Sequence, residues 1–235
     1  MSLYSSLLLF SFIVPITLSF DRRLQFYRQW PSLLPAISFV AIFYIIADVF
    51  LTKAGVWGFN EQYHSGFTLL SLPVEEWLFF FVIPYASIFL HESLVLYFPK
   101  LRVGQTASKR ITVFLIVLFL ILLAFNFGKS YSAYIFIKMI LVLLLSFFDR
   151  KSVISSFYVT FLVILIPFLI VNSILTGSFI EGEVVWYNND ENLGIRIFTI
   201  PVEDISYAFS MILYSLLIRN FITQFWQSKK IWKTV

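Results

Sequence analysis

The chain has 235 residues, of which 60% are hydrophobic and 13% are charged, and its mean hydropathy is +0.88. This composition excludes an ordinary soluble domain and indicates a polytopic membrane protein. Cysteine is absent from the sequence, which excludes disulfides and thiolate chemistry, and the net charge of +4 includes no basic stretch suited to a nucleic-acid partner.

Seven apolar segments follow one another along the chain, and each is close to the ~20 residues that cross a hydrocarbon layer of ~30 Å. They predict seven transmembrane helices, at residues 3–20, 33–51, 77–97, 111–127, 131–148, 154–175 and 205–222. We therefore expect an all-α, polytopic membrane fold surrounded by membrane lipid. The sequence leaves the oligomeric state open.

The basic residues indicate how the helices are oriented. With seven spans, the loops on one side carry only Lys53, Lys129 and Arg196, and the loops on the other side carry most of the lysines and arginines. Cytoplasmic loops are the ones enriched in these residues. The distribution predicts an integral cell-membrane protein with its N-terminus outside and its C-terminus in the cytoplasm.

Several sequence elements recur 128 positions further along the chain. The matching elements are Phe20-Asp21-Arg22 with Phe148-Asp149-Arg150, Asn60 with Asn188, and Gly66 with Gly194. An ungapped spacing over such a stretch indicates duplication and fusion. We expect two three-helix repeats, at residues 1–100 and 131–235, joined by a loop and a helix at residues 101–130. Such repeats insert in the same orientation, so equivalent residues lie at the same membrane depth.

One short acidic motif occurs in both halves, where the third and the seventh segments begin. It reads Pro73-Val74-Glu75-Glu76 in the first half and Pro201-Val202-Glu203-Asp204 in the second. An ionised acid near the bilayer centre costs about 2.5 to 3.5 kcal/mol, so acids at the edge of a span suggest a functional site. Helix capping is the alternative, because proline suits the first helical position and first-turn acids offset the helix dipole. Capping explains less well why two adjacent acids occur in both halves.

The two acids of each motif point in different directions, because successive helical residues are about 100° apart. Glu75 and Glu203 should share one direction, and Glu76 and Asp204 should share the other. A carboxyl group in a low dielectric beside a second carboxyl group retains its proton more readily than it does in water. The paired acids therefore predict a proton donor in an apolar cavity.

Together, the doubled acidic motif, the Asn and Gly elements before it and the repeated Phe-Asp-Arg element resemble the membrane-integral, non-flavin lycopene cyclase family, with the two small subunits of its heterodimeric form fused in one chain. The resemblance implies a lycopene β-cyclase of carotenoid biosynthesis, an isomerase acting on a lipid-soluble substrate. Such enzymes protonate the terminal double bond of a linear carotenoid end group, close the ring and remove a proton, without net redox change. No cofactor and no metal are expected.

The resemblance also implies roles for the four acids. It assigns acid/base catalysis to Glu75 and Glu203, with Glu76 and Asp204 as their partners, and it leaves open which carboxyl group donates and which accepts. The second motif departs from the first, since Asp204 stands where the first copy has Glu76. The two halves are therefore expected to be unequal.

Substrate-binding or orienting roles fall on five further residues. Asn60 and Asn188 match the family's loop element and would orient the acids, although an asparagine in a turn needs no such role. Trp57, Trp77 and Trp186 lie near the motifs in the sequence and are candidates to line a slot for the polyene.

Two other ionisable residues lie within predicted spans. Asp48 is close to the outer end of the second span, near the depth of the acidic motifs, so it would either join the site or contact lipid headgroups. Lys138 lies in the middle of the fifth span. It would be a counter-charge for one of the acids, or it would extend its side chain to the interface.

A proton-coupled membrane transporter is the main alternative function, because repeated acids at helix starts can relay protons. The parallel repeat argues against it, as does the lack of Gly- or Pro-broken segments at matching positions. A structural scaffold whose acids only cap helices is a further alternative. Substitution of Glu75 and Glu203 by glutamine would separate these possibilities from an enzyme.

Overall fold

The computed structural model describes residues 1–149 and 151–232, and within them the fold consists of seven α-helices. The helices are α1 Leu3–Leu18, α2 Trp30–Lys53, α3 Val74–Tyr97, α4 Gln105–Asn126, α5 Ser130–Ser146, α6 Ile154–Leu175 and α7 Glu203–Trp232. The predicted all-α membrane fold is confirmed. Arg150, the last residue of the second Phe-Asp-Arg element, lies outside the described residues.

Within the described residues, five helices are long and apolar enough to cross a membrane, namely α2, α3, α4, α6 and α7. Helices α1 and α5 are apolar but have only 16 and 17 residues, or about 24 and 26 Å at 1.5 Å per residue. Both end earlier than predicted, because an aspartate caps the turn that follows. The Asp21 carboxylate accepts hydrogen bonds from the Arg23 and Leu24 amides, and Asp149 accepts one from the Val153 amide.

Helices α3 and α7, which carry the acidic motifs, lie at the centre of the bundle. Helix α1 packs against α3, and α5 packs against α7. Helix α2 contacts α7 as well as α3, and α6 contacts α3 as well as α7, so each half supports the central helix of the other. Helix α4 packs against α5 and α6 and is the least buried of the long helices in the described chain.

Hydrogen bonds between side chains connect these helices where lipid offers no alternative partner. Tyr44 of α2 and Ser210 of α7 are joined by a bond of 2.7 Å, and His91 of α3 is joined to Thr160 of α6 at 2.7 Å. Near the same end of the bundle as His91, Arg219 of α7 forms an ion pair of 2.6 Å with Glu92 of α3. His91 and Glu92 lie about 24 Å along α3 from the acidic motif, since 16 residues at 1.5 Å each separate them from Glu75 and Glu76.

The loops that precede α3 and α7 contain six short strands that position the motifs. Strands β1 (Trp57–Phe59) and β4 (Val185–Tyr187) come from different halves and pair antiparallel, with Gly58 opposite Trp186. Two hairpins immediately precede the central helices: β2–β3 leads into α3, and β5–β6 leads into α7. The hairpin strands are Thr68–Leu69, Leu72–Pro73, Arg196–Ile197 and Ile200–Pro201.

Equivalent backbone hydrogen bonds recur in the two loops at the spacing of 128 residues. The Asn60 amide donates to the Val184 carbonyl, and the Asn188 amide donates to the Val56 carbonyl, each at 2.9 Å. These reciprocal bonds flank the β1–β4 pair. The two motifs are thereby brought to the same level of the bundle.

The turns before the hairpins require glycine. Gly66 and Gly194 have φ angles of +86° and +71°, in the left-handed region. Gly66→Ala and Gly194→Ala should each lower the free energy of unfolding by about 1–2 kcal/mol, because a Cβ is unfavourable in this conformation. Thermal unfolding of the purified protein in detergent measures the change.

Gly128→Ala is the matched control for this prediction. The φ angle of Gly128 is not in the left-handed region, and a Cβ there meets no atom within 4 Å, as is also true at Gly66 and Gly194. The control should stay within about 0.5 kcal/mol of the wild type. Equal effects of all three substitutions would contradict the conformational argument.

Candidate active site

The first acid of each motif is held by a serine from the first helix of its half and by a loop amide. The Glu75 carboxylate accepts hydrogen bonds from Ser2 Oγ at 2.9 Å, Ser5 Oγ at 2.8 Å and the Ser65 amide at 2.8 Å. These bonds join the start of α3 to α1 and to the loop that precedes α3. The Glu75 side chain is therefore committed to structural contacts.

Glu203 repeats this arrangement in the second half. Its carboxylate accepts hydrogen bonds from Ser132 Oγ at 2.6 Å and from the Leu193 amide at 2.7 Å. Leu193 lies 128 positions after Ser65, so the two loop amides are equivalent. The second oxygen, Oε2, is buried and has no hydrogen-bond partner within the described residues.

The second acid of each motif points in the other direction, as the helical spacing predicts, and meets tyrosine hydroxyl groups. The Tyr4 hydroxyl donates to Glu76, and the Tyr131 hydroxyl donates to Asp204. Asp204 accepts a second bond of 3.0 Å from Tyr187. Burial and the neighbouring Asp204 carboxyl group raise the pKa of Tyr187 well above its usual range, so this hydroxyl remains a hydrogen-bond donor.

Glu76 and Asp204 face one buried cavity of about 50 Å³ between the two central helices, which has space for only a few water-sized molecules. Aromatic rings form much of its wall. The cavity is lined by Tyr4, Asp48, Trp57, Phe59, Glu76, Phe79, Tyr131, Phe168, Asn172, Leu175, Thr176, Val185, Tyr187, Asp204, Tyr207 and Met211. Residues from both halves thus enclose one site.

Asp48 is a third carboxyl group in the cavity wall. Its Oδ1 accepts a hydrogen bond of 2.5 Å from Trp57 Nε1, while Oδ2 is buried and unpartnered among the described residues. The position 128 residues later is Thr176, which also lines the cavity but carries no charge. The acidic content of the site is therefore unequal between the halves.

The structure separates the predicted acids into two groups. Glu76 and Asp204 line the cavity, whereas Glu75 and Glu203 are bound to serines and loop amides beside it and do not belong to its wall. The sequence-based assignment of acid/base chemistry to Glu75 and Glu203 stays a prediction. The geometry favours their neighbours for direct contact with a bound molecule.

The two asparagines that were predicted to orient the acids form local turns instead. Asn60 accepts a bond from the Gln62 amide at 3.0 Å, and Asn188 accepts one from the Asp190 amide at 3.1 Å. Both are local turns of the kind that asparagine forms without any catalytic role. The structure does not bring either amide side chain to the acids.

Of the three candidate tryptophans, Trp57 alone contributes to the cavity wall among the described residues. Trp77 Nε1 donates to the Leu69 carbonyl at 3.2 Å, and Trp186 is 40% exposed. Lys138 is buried against the Tyr44 ring, with Nζ 3.1 Å from the ring centroid, and does not line the cavity.

Tyr4 and Tyr131 are functional residues that were not predicted from the sequence, although it contains a signal for them. Both are followed by the serine that binds the first acid of the motif, in the pairs Tyr4-Ser5 and Tyr131-Ser132. These pairs are 127 positions apart, one fewer than the spacing of the motifs. A strict search at 128 positions therefore aligns Tyr4 with Ser132 and hides the match.

Comparisons with known proteins agree with this two-part organisation. A family model described as lycopene cyclase matches residues 1–94 and 128–222, one segment in each half. Proteins named "Lycopene beta-cyclase" from two strains of Halobacterium salinarum are each 37% identical to this chain over 62 residues, covering 26% of the chain and 25% of the relative. The alignment thus spans about a quarter of the length of these curated relatives. No solved structure matches.

Glu76 accepts a hydrogen bond from one tyrosine and Asp204 accepts bonds from two, so removal of a tyrosine hydroxyl should affect the two acids differently. Tyr4→Phe removes the side-chain donor to Glu76, so we expect a loss of about 1–3 kcal/mol of stability, the usual cost of leaving a buried polar group without its partner. Tyr131→Phe should cost less, because Asp204 retains the bond from Tyr187. Thermal unfolding in detergent compares the two variants.

The double variant Tyr131→Phe with Tyr187→Phe serves as the control, since it removes both donors to Asp204 and should approach the effect of Tyr4→Phe. A single Tyr131→Phe substitution that destabilises as much as Tyr4→Phe would argue against this role of Tyr187.

Proposed function

The chain belongs to the lycopene cyclase family, and we propose from this that it is a lycopene β-cyclase of carotenoid biosynthesis, which converts the linear end groups of lycopene to β-rings. One observation carries the proposal: Glu76 and Asp204, which come from equivalent motifs in the two halves, line the same buried cavity, and its walls are largely aromatic. A proton donor and a proton acceptor are thereby available in a cavity that has space for only a few water molecules.

The proposed reaction is an isomerisation. A carboxyl group protonates the terminal carbon–carbon double bond of the end group and generates a tertiary carbocation. The neighbouring double bond attacks this cation, which forms the ring carbon–carbon bond and moves the positive charge to a ring carbon. Loss of a proton to a carboxylate creates the ring double bond. One proton enters and one leaves, so the product is an isomer and the reaction needs no redox cofactor.

We propose Glu76 as the proton donor and Asp204 as the proton acceptor. Hydrogen bonds to a carboxylate favour its ionised form. Asp204 receives two such bonds, from Tyr131 and Tyr187, whereas Glu76 receives one, from Tyr4. The difference supports an ionised acceptor at Asp204 and a protonated donor at Glu76.

In this proposal Glu75 and Glu203 are positioning residues. Each connects the first turn of a central helix to a serine of the first helix and to a loop amide. Holding the adjacent acid within a fraction of an ångström matters, because proton transfer requires a close and well-aligned donor. Their own oxygens are occupied by these contacts, apart from Oε2 of Glu203.

The aromatic walls suit a cationic intermediate. Trp57, Phe79 and Tyr207 line the cavity, and aromatic faces attract positive charge within about 6 Å by roughly 0.5–2 kcal/mol. Water in such a site would capture the cation, so exclusion of water protects the reaction path. Asp48 adds a carboxyl group that supports the developing charge from the wall.

We also propose that residues 1–100 and 131–235 are parallel repeats joined by residues 101–130, with the N-terminus outside and the C-terminus in the cytoplasm. The reciprocal loop hydrogen bonds and the equivalent tethers of Glu75 and Glu203 support the repeat. The excess of basic residues in one set of loops supports the orientation. Neither the family match nor the relatives support a proton-coupled transporter.

Expression in cells that accumulate lycopene tests the function. The wild type should convert lycopene to cyclic carotenoids, and Glu76→Gln and Asp204→Asn should each lower the conversion by about 10²–10⁴-fold, the usual contribution of a general acid or base. Chromatography of the extracted pigments measures the products. Glu75→Gln and Glu203→Gln are the matched variants and should retain measurable conversion, since glutamine still accepts the bonds from serine and the loop amide.

The opposite pattern, in which Glu75→Gln abolishes conversion and Glu76→Gln does not, would return the acid/base role to Glu75 and Glu203. Unchanged lycopene in cells with correctly inserted wild-type protein would overturn the cyclase itself.

A deuterium experiment tests the proton steps. Purified protein incubated with lycopene in D₂O should add one deuterium to the carotenoid for each ring formed, because the donor carboxyl group exchanges with solvent before it protonates the substrate. Mass spectrometry of the product measures the incorporation. Ring formation without deuterium would contradict protonation by an exchangeable carboxyl group.

A further inference from the structure

Two lipid-facing grooves occupy equivalent positions in the two halves. Groove A lies between α1, α3 and α6 and has a volume of about 280 Å³; groove B lies between α5, α7 and α2 and has about 220 Å³. Every residue that lines groove B has a counterpart in groove A. The counterparts on α1 and α5 are 127 positions apart, and those on the other helices are 128 positions apart. The counterparts used below are Ser11 and Lys138, Val14 and Leu141, Ala86 and Tyr214, and Asn172 and Tyr44.

Groove A adjoins the cavity that holds Glu76 and Asp204. Phe168 and Asn172 of α6 line both the groove and the cavity. Their counterparts, Val40 and Tyr44, line groove B but are not part of the cavity wall in the described chain. Within the described residues, the cavity therefore shares wall residues with groove A and none with groove B.

Large side chains connect the three helices that form groove B. Lys138 Nζ lies 3.1 Å from the centroid of the Tyr44 ring, and the Tyr44 hydroxyl is bonded to Ser210 Oγ at 2.7 Å. Tyr214 donates to the Lys138 carbonyl at 3.2 Å. These contacts join α2, α5 and α7 across the groove, directly beside the site.

The same positions of groove A carry small side chains that bond within their own helices. Ser11 Oγ donates to the Leu7 carbonyl at 2.8 Å, and Asn172 Nδ2 donates to the Phe168 carbonyl at 3.1 Å. Ala86 stands where groove B has Tyr214. At these three positions groove A therefore lacks the side-chain contacts that connect the helices of groove B.

The dimensions of groove A suit an extended hydrocarbon chain. It extends along α6 from Asn172 to Ile164, about 12 Å at 1.5 Å per residue. Its rim is open to lipid, since Phe10 is 72% exposed and Val14 is 56% exposed. The cavity alone is too small for a complete end group and a tail, so the adjoining groove supplies the space for the rest of the molecule.

We propose that groove A is the lateral entrance and binding site for the linear polyene chain of the substrate, and that groove B does not admit it. The end group passes Phe168 and Asn172 to reach the acids, and the chain that follows remains in groove A and the surrounding lipid. This inference rests on the proposed function, because it takes the occupant to be a long, apolar isoprenoid.

Equivalent substitutions in the two grooves test the proposal. Val14→Trp should fill the mouth of groove A and lower kcat/KM for lycopene by about tenfold, the effect of losing roughly 1.4 kcal/mol of binding. Leu141→Trp is its counterpart in groove B, at a position 49% exposed, and should stay within about twofold of the wild type, as surface substitutions usually do. Rates are measured on purified protein in lipid vesicles loaded with lycopene.

Ala86→Tyr provides a second variant within the bundle, in case Val14→Trp reduces the yield of folded protein. It introduces into groove A the side chain that stands in groove B, and the same loss of about tenfold is expected. Equal rates for Val14→Trp, Ala86→Tyr and Leu141→Trp would overturn the proposal. A loss confined to Leu141→Trp would assign the entrance to groove B.

Pigment retention separates failure of this inference from failure of the proposed function. The same proteins are purified from lycopene-accumulating cells in the Glu76→Gln background, and the bound carotenoid is quantified by its absorbance. Retention should fall with Val14→Trp and not with Leu141→Trp, whether or not the wild type forms rings. If rings form but the groove A variants change neither retention nor rate, the cyclase function is supported and the proposed entrance is wrong. If no rings form but the groove A variants still lower retention, the polyene-binding site is supported and the cyclase function is wrong.

Discussion

The burial of four carboxyl groups at the starts of α3 and α7 is the constraint on which the rest of this end of the bundle depends. Acids in a low-dielectric environment are costly unless other groups bond to them. Here α1 and α5 supply serine and tyrosine donors, and the loops before α3 and α7 supply amides. The positions of these two short helices and of the hairpins before α3 and α7 follow from these bonds. Without them the bundle would contain buried carboxyl groups that lack hydrogen-bond donors.

The two halves share an architecture but differ at the positions that determine chemistry. Asp48 and Trp57 in the first half correspond to Thr176 and Val185 in the second, and Tyr187 corresponds to Phe59. The cavity therefore has an unequal set of donors and acceptors at equivalent positions of the two halves. This combination suits a reaction in which a proton must be delivered at one carbon and removed at another.

The same asymmetry extends from the cavity to the lipid. In one half, Lys138, Tyr44 and Tyr214 connect the helices of groove B; in the other half, serine, asparagine and alanine stand at the equivalent positions of groove A. Within the described residues, Lys138 Nζ has no hydrogen-bond partner and lies against the rings of Tyr44 and Tyr134. A lysine in this environment is costly, and its contact with the Tyr44 ring holds α5 against α2 on this side of the bundle.

The sequence by itself determined the seven apolar helices, the spacing of 128 residues and the doubled acidic motif, because hydrophobic length and repeated residue types are local properties of the chain. Only the tertiary structure decided which acid of each pair faces the cavity, that Tyr4 and Tyr131 contact those acids, and that Asn60 and Asn188 form local turns. These outcomes depend on how α1 and α5 are placed against α3 and α7, and a shift of one residue between the repeats was enough to hide the tyrosines. Helical periodicity correctly separated the acids into two directions, but the direction that leads to the cavity is set by contacts between helices distant in the chain.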